Sequence, residues 1–109
     1  MEGMQLALDS YQLVKLFPKE EEYGLKSQVR RASVSIASNI AEGCSRSSQK
    51  EYKHFLEIAL GSAFEVETDF ILSCRLGMIS EGQLEDILPR IHILQRRINT
   101  LISKIIADL

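Results

Sequence analysis

Hydrophobic residues recur along the chain at intervals of three and four, the spacing that places them on one face of an α-helix. Four segments carry this pattern, and Pro18, a serine-rich stretch that starts at Gly43, and residues 77–80 separate them. No segment shows the alternation typical of a strand. We therefore expect an all-α protein, and its short connections predict an antiparallel, up-down-up-down four-helix bundle in one domain, residues 1–109. The predicted helices are residues 4–17, 22–42, 48–76 and 80–107.

Each predicted helix has one apolar face that we assign to the core, because buried positions of a helix repeat every three or four residues. In the first helix this face has further apolar neighbours, Ala7, Tyr11 and Val14. In the fourth helix it follows an unbroken heptad series, the strongest periodic signal in the chain. The predicted core residues, in chain order, are Leu6, Leu13, Phe17; Leu25, Val29, Ala32, Ile36, Ile40; Tyr52, Leu56, Ala59, Ala63, Val66, Phe70; and Leu84, Ile87, Ile91, Leu94, Ile98, Leu101, Ile105.

Two helix starts carry the sequence of a capping box, in which a serine and the residue three places later each satisfy a backbone N–H of the other. Ser48 with Glu51 predicts one at the third helix, and Ser80 with Gln83 predicts one at the fourth. These pairs locate the starts of the two longest helices.

Glycine and proline predict how three of the helices end or bend. Gly43 and Gly77 follow the second and third periodic segments, where glycine commonly terminates a helix. Pro89 falls inside the fourth segment and predicts a kink or a short separate first turn, because proline has no N–H to donate.

Three of the helices carry a second apolar stripe outside the core series. A helix that is apolar on two faces needs two partners, so these stripes indicate a permanent contact between subunits. The alternative is one broad buried face within a monomer. The residues of the second stripes are Val34, Ala37, Ala41; Phe55, Leu60, Phe64, Ile71; and Leu88, Ile102, Ile106.

The composition is that of a folded domain: 109 residues, 45% hydrophobic and 26% charged, with a net charge of -2. The slightly acidic balance argues against a protein that coats nucleic acid through its overall charge. No apolar run is long enough for a membrane helix and the first residues do not resemble a signal peptide, so we expect a cytoplasmic protein. Cys44 and Cys74 are interpreted as free thiols, since no CxxC pair is present.

Charge is distributed unevenly along the chain. Residues 26–53 carry six bases and two acids, whereas residues 54–89 carry one base and seven acids. Such alternation either forms separate basic and acidic faces or lets antiparallel neighbours neutralise each other.

No catalytic or metal-binding constellation is complete. Glu51 and His54 have the Glu-x-x-His spacing of di-iron bundles, but the only other histidine, His92, has Pro89 where the second glutamate belongs. We therefore expect no enzyme activity, no metal, no cofactor and no small-molecule substrate. An enzyme that uses His54 with Glu51 or Glu57 is the weakest of the alternatives.

Basic residues offer a candidate nucleic-acid surface, because phosphate backbones are bound by lysine and arginine. On the fourth helix, Arg90 and Arg97 form a basic edge together with Arg96 and Lys104. The alternative is a structural role in which these side chains pair with neighbouring helices or shield their apolar seams. The candidates are Arg30, Arg31, Arg46, Lys50, Lys53, Arg90 and Arg97.

The segment from Phe17 to Gly43, FPKEEEYGLKSQVRRASVSIASNIAEG, resembles the signature of a bacterial four-helix bundle family named after proteins encoded in 23S ribosomal RNA intervening sequences. Residues 50–52, 55–62 and 76–77 continue the similarity, which spans about residues 11–79. The resemblance implies a four-helix bundle assembled as a ring-like homopentamer. Proteins of related fold serve as accessory factors of diversity-generating retroelements, and those relatives are markedly basic, unlike this chain.

The resemblance and the pattern together predict a non-enzymatic oligomeric scaffold or adaptor for RNA or an RNA-associated protein. The alternative is an accessory protein that binds a reverse transcriptase and nucleic acid. The polar motif residues Arg30, Arg31, Asn39 and Glu42 are expected to form a buried network that fixes helix register or the subunit contact. A direct functional role of these four residues is the other interpretation.

Overall fold

The computed structural model describes residues 2–19 and 24–109. Within them the chain forms four α-helices and no strand, which confirms the all-α four-helix prediction. The predicted start of the second helix, at residue 22, lies outside the described residues. The molecule is elongated, with extents of 46 × 23 × 19 Å. The helices are α1 (Glu2–Val14), α2 (Leu25–Cys44), α3 (Gln49–Arg75) and α4 (Glu81–Asp108).

Each helix packs mainly on its neighbour in sequence: α1 on α2, α2 on α3, and α3 on α4, while α1 makes only slight contact with α4. The α2 and α3 helices run antiparallel, because Gly43 near the end of α2 lies against Tyr52 near the start of α3, and Ser35 meets Ser62 further along. The bundle is therefore open between its first and last helices.

The buried residues match the predicted core faces closely, but the prediction is wrong at one position of α4. Leu101 is 40% exposed, and Ile102 is buried in its place. A straight helix has 3.6 residues per turn, so a strict heptad series drifts off the buried face after a few turns. Tyr11 is exposed, and Leu13, Ile40, Tyr52 and Leu84 are only partly buried against the core. The buried hydrophobic residues are Leu6, Val14, Phe17, Leu25, Val29, Ala32, Ile36, Leu56, Ala59, Ala63, Val66, Phe70, Ile79, Ile87, Ile91, Leu94, Ile98, Ile102 and Ile105.

The predicted capping box is complete at the start of α4, whereas α3 shows one of its two hydrogen bonds. The Ser80 hydroxyl oxygen accepts from the Gln83 amide at 3.0 Å, and the Gln83 side chain accepts from the Ser80 amide at 2.7 Å. The Ser48 hydroxyl oxygen accepts from the Glu51 amide at 3.1 Å, and this bond alone is seen there among the described residues. Both serines nevertheless lie directly before their helices.

Gly43 does not end α2, contrary to the prediction, because the helix continues to Cys44. A Cβ atom at Gly43 would lie 2.9 Å from Tyr52 Cδ1 and 3.0 Å from Phe55 Cβ, so glycine is needed there for the close approach of α3. Gly77 has a φ of 79° and follows α3 as predicted. Pro89 lies inside an unbroken α4, so no separate first turn forms.

Candidate functional site

An apolar groove lies between α1 and α2. Its volume is about 480 Å³, and large apolar side chains stand open to solvent along it: Leu8 is 62% exposed, Met4 57% and Val34 44%. We call it the α1–α2 groove. Its lining residues are Met4, Ala7, Leu8, Tyr11, Gln12, Lys15, Val34, Ala37 and Ser38.

The sequence builds this groove from positions that the core does not use. In α1 the exposed residues recur every three or four positions, on the side opposite the buried Ser10 and Val14. In α2, Val34 projects away from buried Val29 and Ile36. Three of the groove's lining side chains, Ala7, Ala37 and Ser38, are small.

A second exposed apolar surface lies on α3 and carries acidic residues. Ile58, Phe64 and Leu72 are exposed along this helix, and Glu57 and Glu65 stand exposed among them. We call these five residues the α3 ridge. Of the predicted second stripes, Val34 and Phe64 are thus open to solvent, whereas Ile102 and most of Leu60 are covered within one chain.

The two adjacent arginines of α2 point to different neighbours. The Arg30 guanidinium lies over the Tyr11 ring of α1, 5.7 Å from its centroid. Arg31 is exposed and acts electrostatically on Asp69 of α3. Adjacent residues on a helix differ by about 100° in direction, so these two do not form one patch.

Three further candidates lie at the turn between α2 and α3. Arg46 forms an ion pair with Glu42 and lies 5.0 Å from the centroid of the Phe55 ring. Lys53 Nζ lies 3.4 Å from the Glu57 carboxylate, and Lys50 is exposed in the first turn of α3. Arg46 also lines a polar cavity of about 270 Å³ at this turn.

The remaining two candidates line a groove of about 320 Å³ between α1 and α4. Arg90 forms an ion pair with Asp9 of α1, and Arg97 lies two turns further along α4. The seven predicted residues are thus spread over α2, the α2–α3 turn and α4, and in one chain they do not form a single surface.

Two polar residues of the α2 motif, Asn39 and Glu42, bond to different partners. Asn39 donates to the Ser35 carbonyl at 2.8 Å and to the Ser35 hydroxyl at 3.0 Å, and that hydroxyl lies 2.8 Å from the Ser62 hydroxyl. Glu42 instead pairs with Arg46. The sequence analysis did not reveal the hydrogen bond between Ser35 and Ser62.

Asp69 is a buried carboxylate that the sequence did not single out. It is 6% exposed, and its Oδ2 atom has no hydrogen-bond partner. Burial raises the pKa of this carboxyl to about 6, the negative charge of Glu65 adds to the rise, and Arg31 opposes it. The only sequence signal for Asp69 is its position seven residues after Ser62, which places it on the side of α3 that faces α2.

A second unpredicted cluster joins α3 to α4. Glu67 accepts from the Gln95 amide at 2.8 Å and lies 3.3 Å from His92 Nε2. These contacts, led by the Gln95 hydrogen bond, hold the pKa of Glu67 below its usual range. His54, by contrast, is exposed and packs edge-on against Phe55, with ring centroids 5.6 Å apart.

Among residues 2–19 and 24–109, no three histidine, cysteine or acidic side chains converge into a group that could hold a metal ion. Cys44 and Cys74 are free, the former exposed and the latter half-buried. None of the described helices combines the length and apolarity required to cross a bilayer.

The fold and these surfaces define an all-α four-helix bundle protein. The model of the 23S rRNA-intervening sequence protein family matches residues 1–100, so the chain belongs to that family. In structure it is similar to a protein of unknown function from the S23 ribosomal protein family of Bacteroides thetaiotaomicron VPI-5482, with a TM-score of 0.83 and 24% identity over 93% of this chain and 94% of that one. No curated protein matches the chain.

Proposed function

We propose that the protein is a non-enzymatic homo-oligomeric scaffold or adaptor that associates with RNA or an RNA-associated protein. One observation carries this proposal: the largest apolar side chains that remain exposed on α1 and α2 line a single groove. An apolar surface of this kind on a small protein marks an interaction site. The two sides of the groove come from helices that already pack together, so the groove is preformed.

A ring-like homopentamer is the assembly that we propose. Membership of the family and the exposed second stripe on α2 support an assembly of several copies. A closed ring would cover the exposed apolar residues of every subunit equally, so no subunit would keep an uncovered contact surface.

An anionic partner is supported by the basic residues at the α2–α3 turn. Arg46 and Lys50 lie at the same end of the bundle and are exposed to solvent. In one chain this charge is weak, because Arg46 is paired with Glu42. Repetition in an assembly would present it several times to one RNA molecule, and multivalent binding raises the overall affinity strongly.

The test combines light scattering with electrophoretic binding to structured RNA at low and moderate salt. We expect about five times the 12.3 kDa chain mass, and RNA binding that weakens steeply with salt. The double substitution Arg46→Gln with Lys50→Gln should reduce both the affinity and the salt dependence. The matched control, Lys19→Gln with Arg75→Gln, removes the same charge elsewhere and should bind like the wild type.

A monomer in light scattering would overturn the oligomeric scaffold. An oligomer that ignores RNA at low salt would remove the RNA part of the proposal and direct the search to a protein partner. Equal loss of binding in the test variant and the control would mean that only net charge matters.

A further inference from the structure

We infer that the α3 ridge of one copy docks into the α1–α2 groove of a second copy. This inference rests on the proposed homo-oligomeric function and names the two surfaces that would meet. They are different surfaces of the same chain, and in a head-to-tail contact each copy uses its ridge toward one neighbour and its groove toward another.

Charge favours this pairing. The nine residues that line the groove include Lys15 and no acid, and Arg30 lies over Tyr11 at its edge. The α3 ridge carries Glu65, which is exposed, and Glu57, whose charge is partly balanced by Lys53 at 3.4 Å. Opposite charges at the rim of an apolar contact fix its register and exclude wrong pairings.

Shape favours it as well. Ile58, Glu65 and Leu72 recur at seven-residue intervals, so they form a straight ridge about 21 Å long at 1.5 Å per residue. The groove residues of α1, from Met4 to Lys15, span about 16 Å on the same basis. A ridge of one helix fits the furrow between two others, as in ordinary helix packing, and the small Ala37 and Ser38 side chains leave it room.

A head-to-tail contact has a definite consequence for assembly. Every docked pair leaves one groove and one ridge unused, so copies add until the contacts close into a ring, and they continue as a filament where the rotation between copies does not close. A self-complementary contact would stop at a dimer. The mass of the wild-type assembly therefore distinguishes the two arrangements.

The experiment uses one substitution on each surface, and light scattering measures the mass. Val34→Asp places an acid in the groove, opposite the acidic ridge, and Leu72→Asp replaces an apolar ridge residue by an acid, so that the two altered surfaces repel each other when the variants are mixed. Leu101→Asp is the matched control, because Leu101 lies on α4 outside both surfaces and is 40% exposed, against 44% for Val34 and 43% for Leu72. Circular dichroism verifies that each variant is folded, and Val34→Ser or Leu72→Gln replaces one that is not.

We expect each of the two surface variants alone to be monomeric at 12.3 kDa and the control to assemble like the wild type. The mixture of Val34→Asp with Leu72→Asp should form one-to-one dimers and nothing larger, because the intact ridge of the first fits the intact groove of the second, whereas the two altered surfaces carry like charges. A mixture that remains monomeric would overturn the head-to-tail contact. Wild-type assembly in both surface variants would overturn the docking surfaces and leave the oligomeric scaffold standing. A monomeric wild type would overturn both.

Discussion

The hydroxyl oxygens of Ser35 and Ser62 lie 2.8 Å apart and link α2 to α3. Ser62 is buried, and Ser35 is held from the other side by the Asn39 amide at 3.0 Å. A buried hydroxyl needs a partner because its desolvation is otherwise uncompensated. The pair therefore fixes how the two helices align along their length.

Replacing Ser62 by alanine should lower the free energy of unfolding by about 1 kcal/mol, since the Ser35 hydroxyl loses one of its two partners. Ser35→Ala should cost more, because it also removes a hydrogen bond of Asn39. Urea unfolding measures both. Thr68→Ala is the control, because its hydroxyl bonds only within α3 and is exposed. Equal stability of Ser62→Ala and Thr68→Ala would show that the pair contributes nothing.

Gly43→Ala should destabilise the protein, although alanine is the better helix former. The new methyl group would lie 2.9 Å from the Tyr52 ring and 3.0 Å from Phe55 Cβ, which is close to the α3 backbone and cannot move aside freely. Overpacking of this kind costs about 1–3 kcal/mol, more than the gain in helix propensity of up to about 1 kcal/mol.

The control for this prediction is Gly82→Ala. A Cβ atom there would meet only the Ser80 hydroxyl, at an ordinary 3.8 Å, so this change should leave the melting temperature unchanged or raise it. Thermal unfolding measures both variants. If Gly43→Ala also raised the melting temperature, the contact between the α2 end and α3 would be looser than the structure indicates.

The four helices could be predicted because hydrophobic spacing and capping residues are local signals. Ser80 with Gln83 determines the start of α4 without help from the rest of the chain. Gly43 could not be interpreted correctly in the same way. A glycine that ends a helix and a glycine that lets another helix approach look identical in sequence, and only the position of Tyr52 distinguishes them.

The candidate surfaces were predicted less well, for a related reason. The stripe of α2 that includes Val34 was visible in the sequence, but the residues of α1 that complete the groove were assigned in part to the core, as for Tyr11. Which side chains of two helices share a furrow depends on how the helices are rotated against each other. Similarly, the pairing of Arg90 with Asp9 joins residues far apart in the chain.

Protonation of Asp69 should make stability depend on pH. The pKa of its carboxyl is about 6 in the folded protein, above its ordinary 3.8, so the folded state holds its proton longer as the pH rises. The contribution of Asp69 to the free energy of unfolding is therefore highest below pH 4. It falls by up to about 3 kcal/mol as the pH rises through 6. Asp69→Asn should remove this loss.

Urea unfolding at pH 4 and pH 7 tests this prediction. The Asp69→Asn variant should match the wild type at pH 4 and exceed it at pH 7. Glu85→Gln, which neutralises an exposed carboxylate on α4, should not reproduce the pH-dependent difference. A variant less stable than the wild type at pH 7 would mean that the Asp69 charge is favourably paired.

The ion pair of Arg90 with Asp9 should hold α1 against α4, where the two helices otherwise touch little. Hydrogen bonds from Arg90 and Gln5 keep the pKa of Asp9 below its usual range, so this stabilisation is present above that range and is lost as the pH falls through the lowered value.

Arg90→Gln should speed amide hydrogen exchange in α1 at neutral pH and leave the buried parts of α2 and α3 unchanged. The total loss of stability should stay below about 1 kcal/mol, because both side chains are partly exposed. Arg46→Gln breaks a pair at the end of α2 and serves as the control, with no effect expected on α1. Faster exchange throughout all four helices would show instead that α1 unfolds only together with the whole bundle.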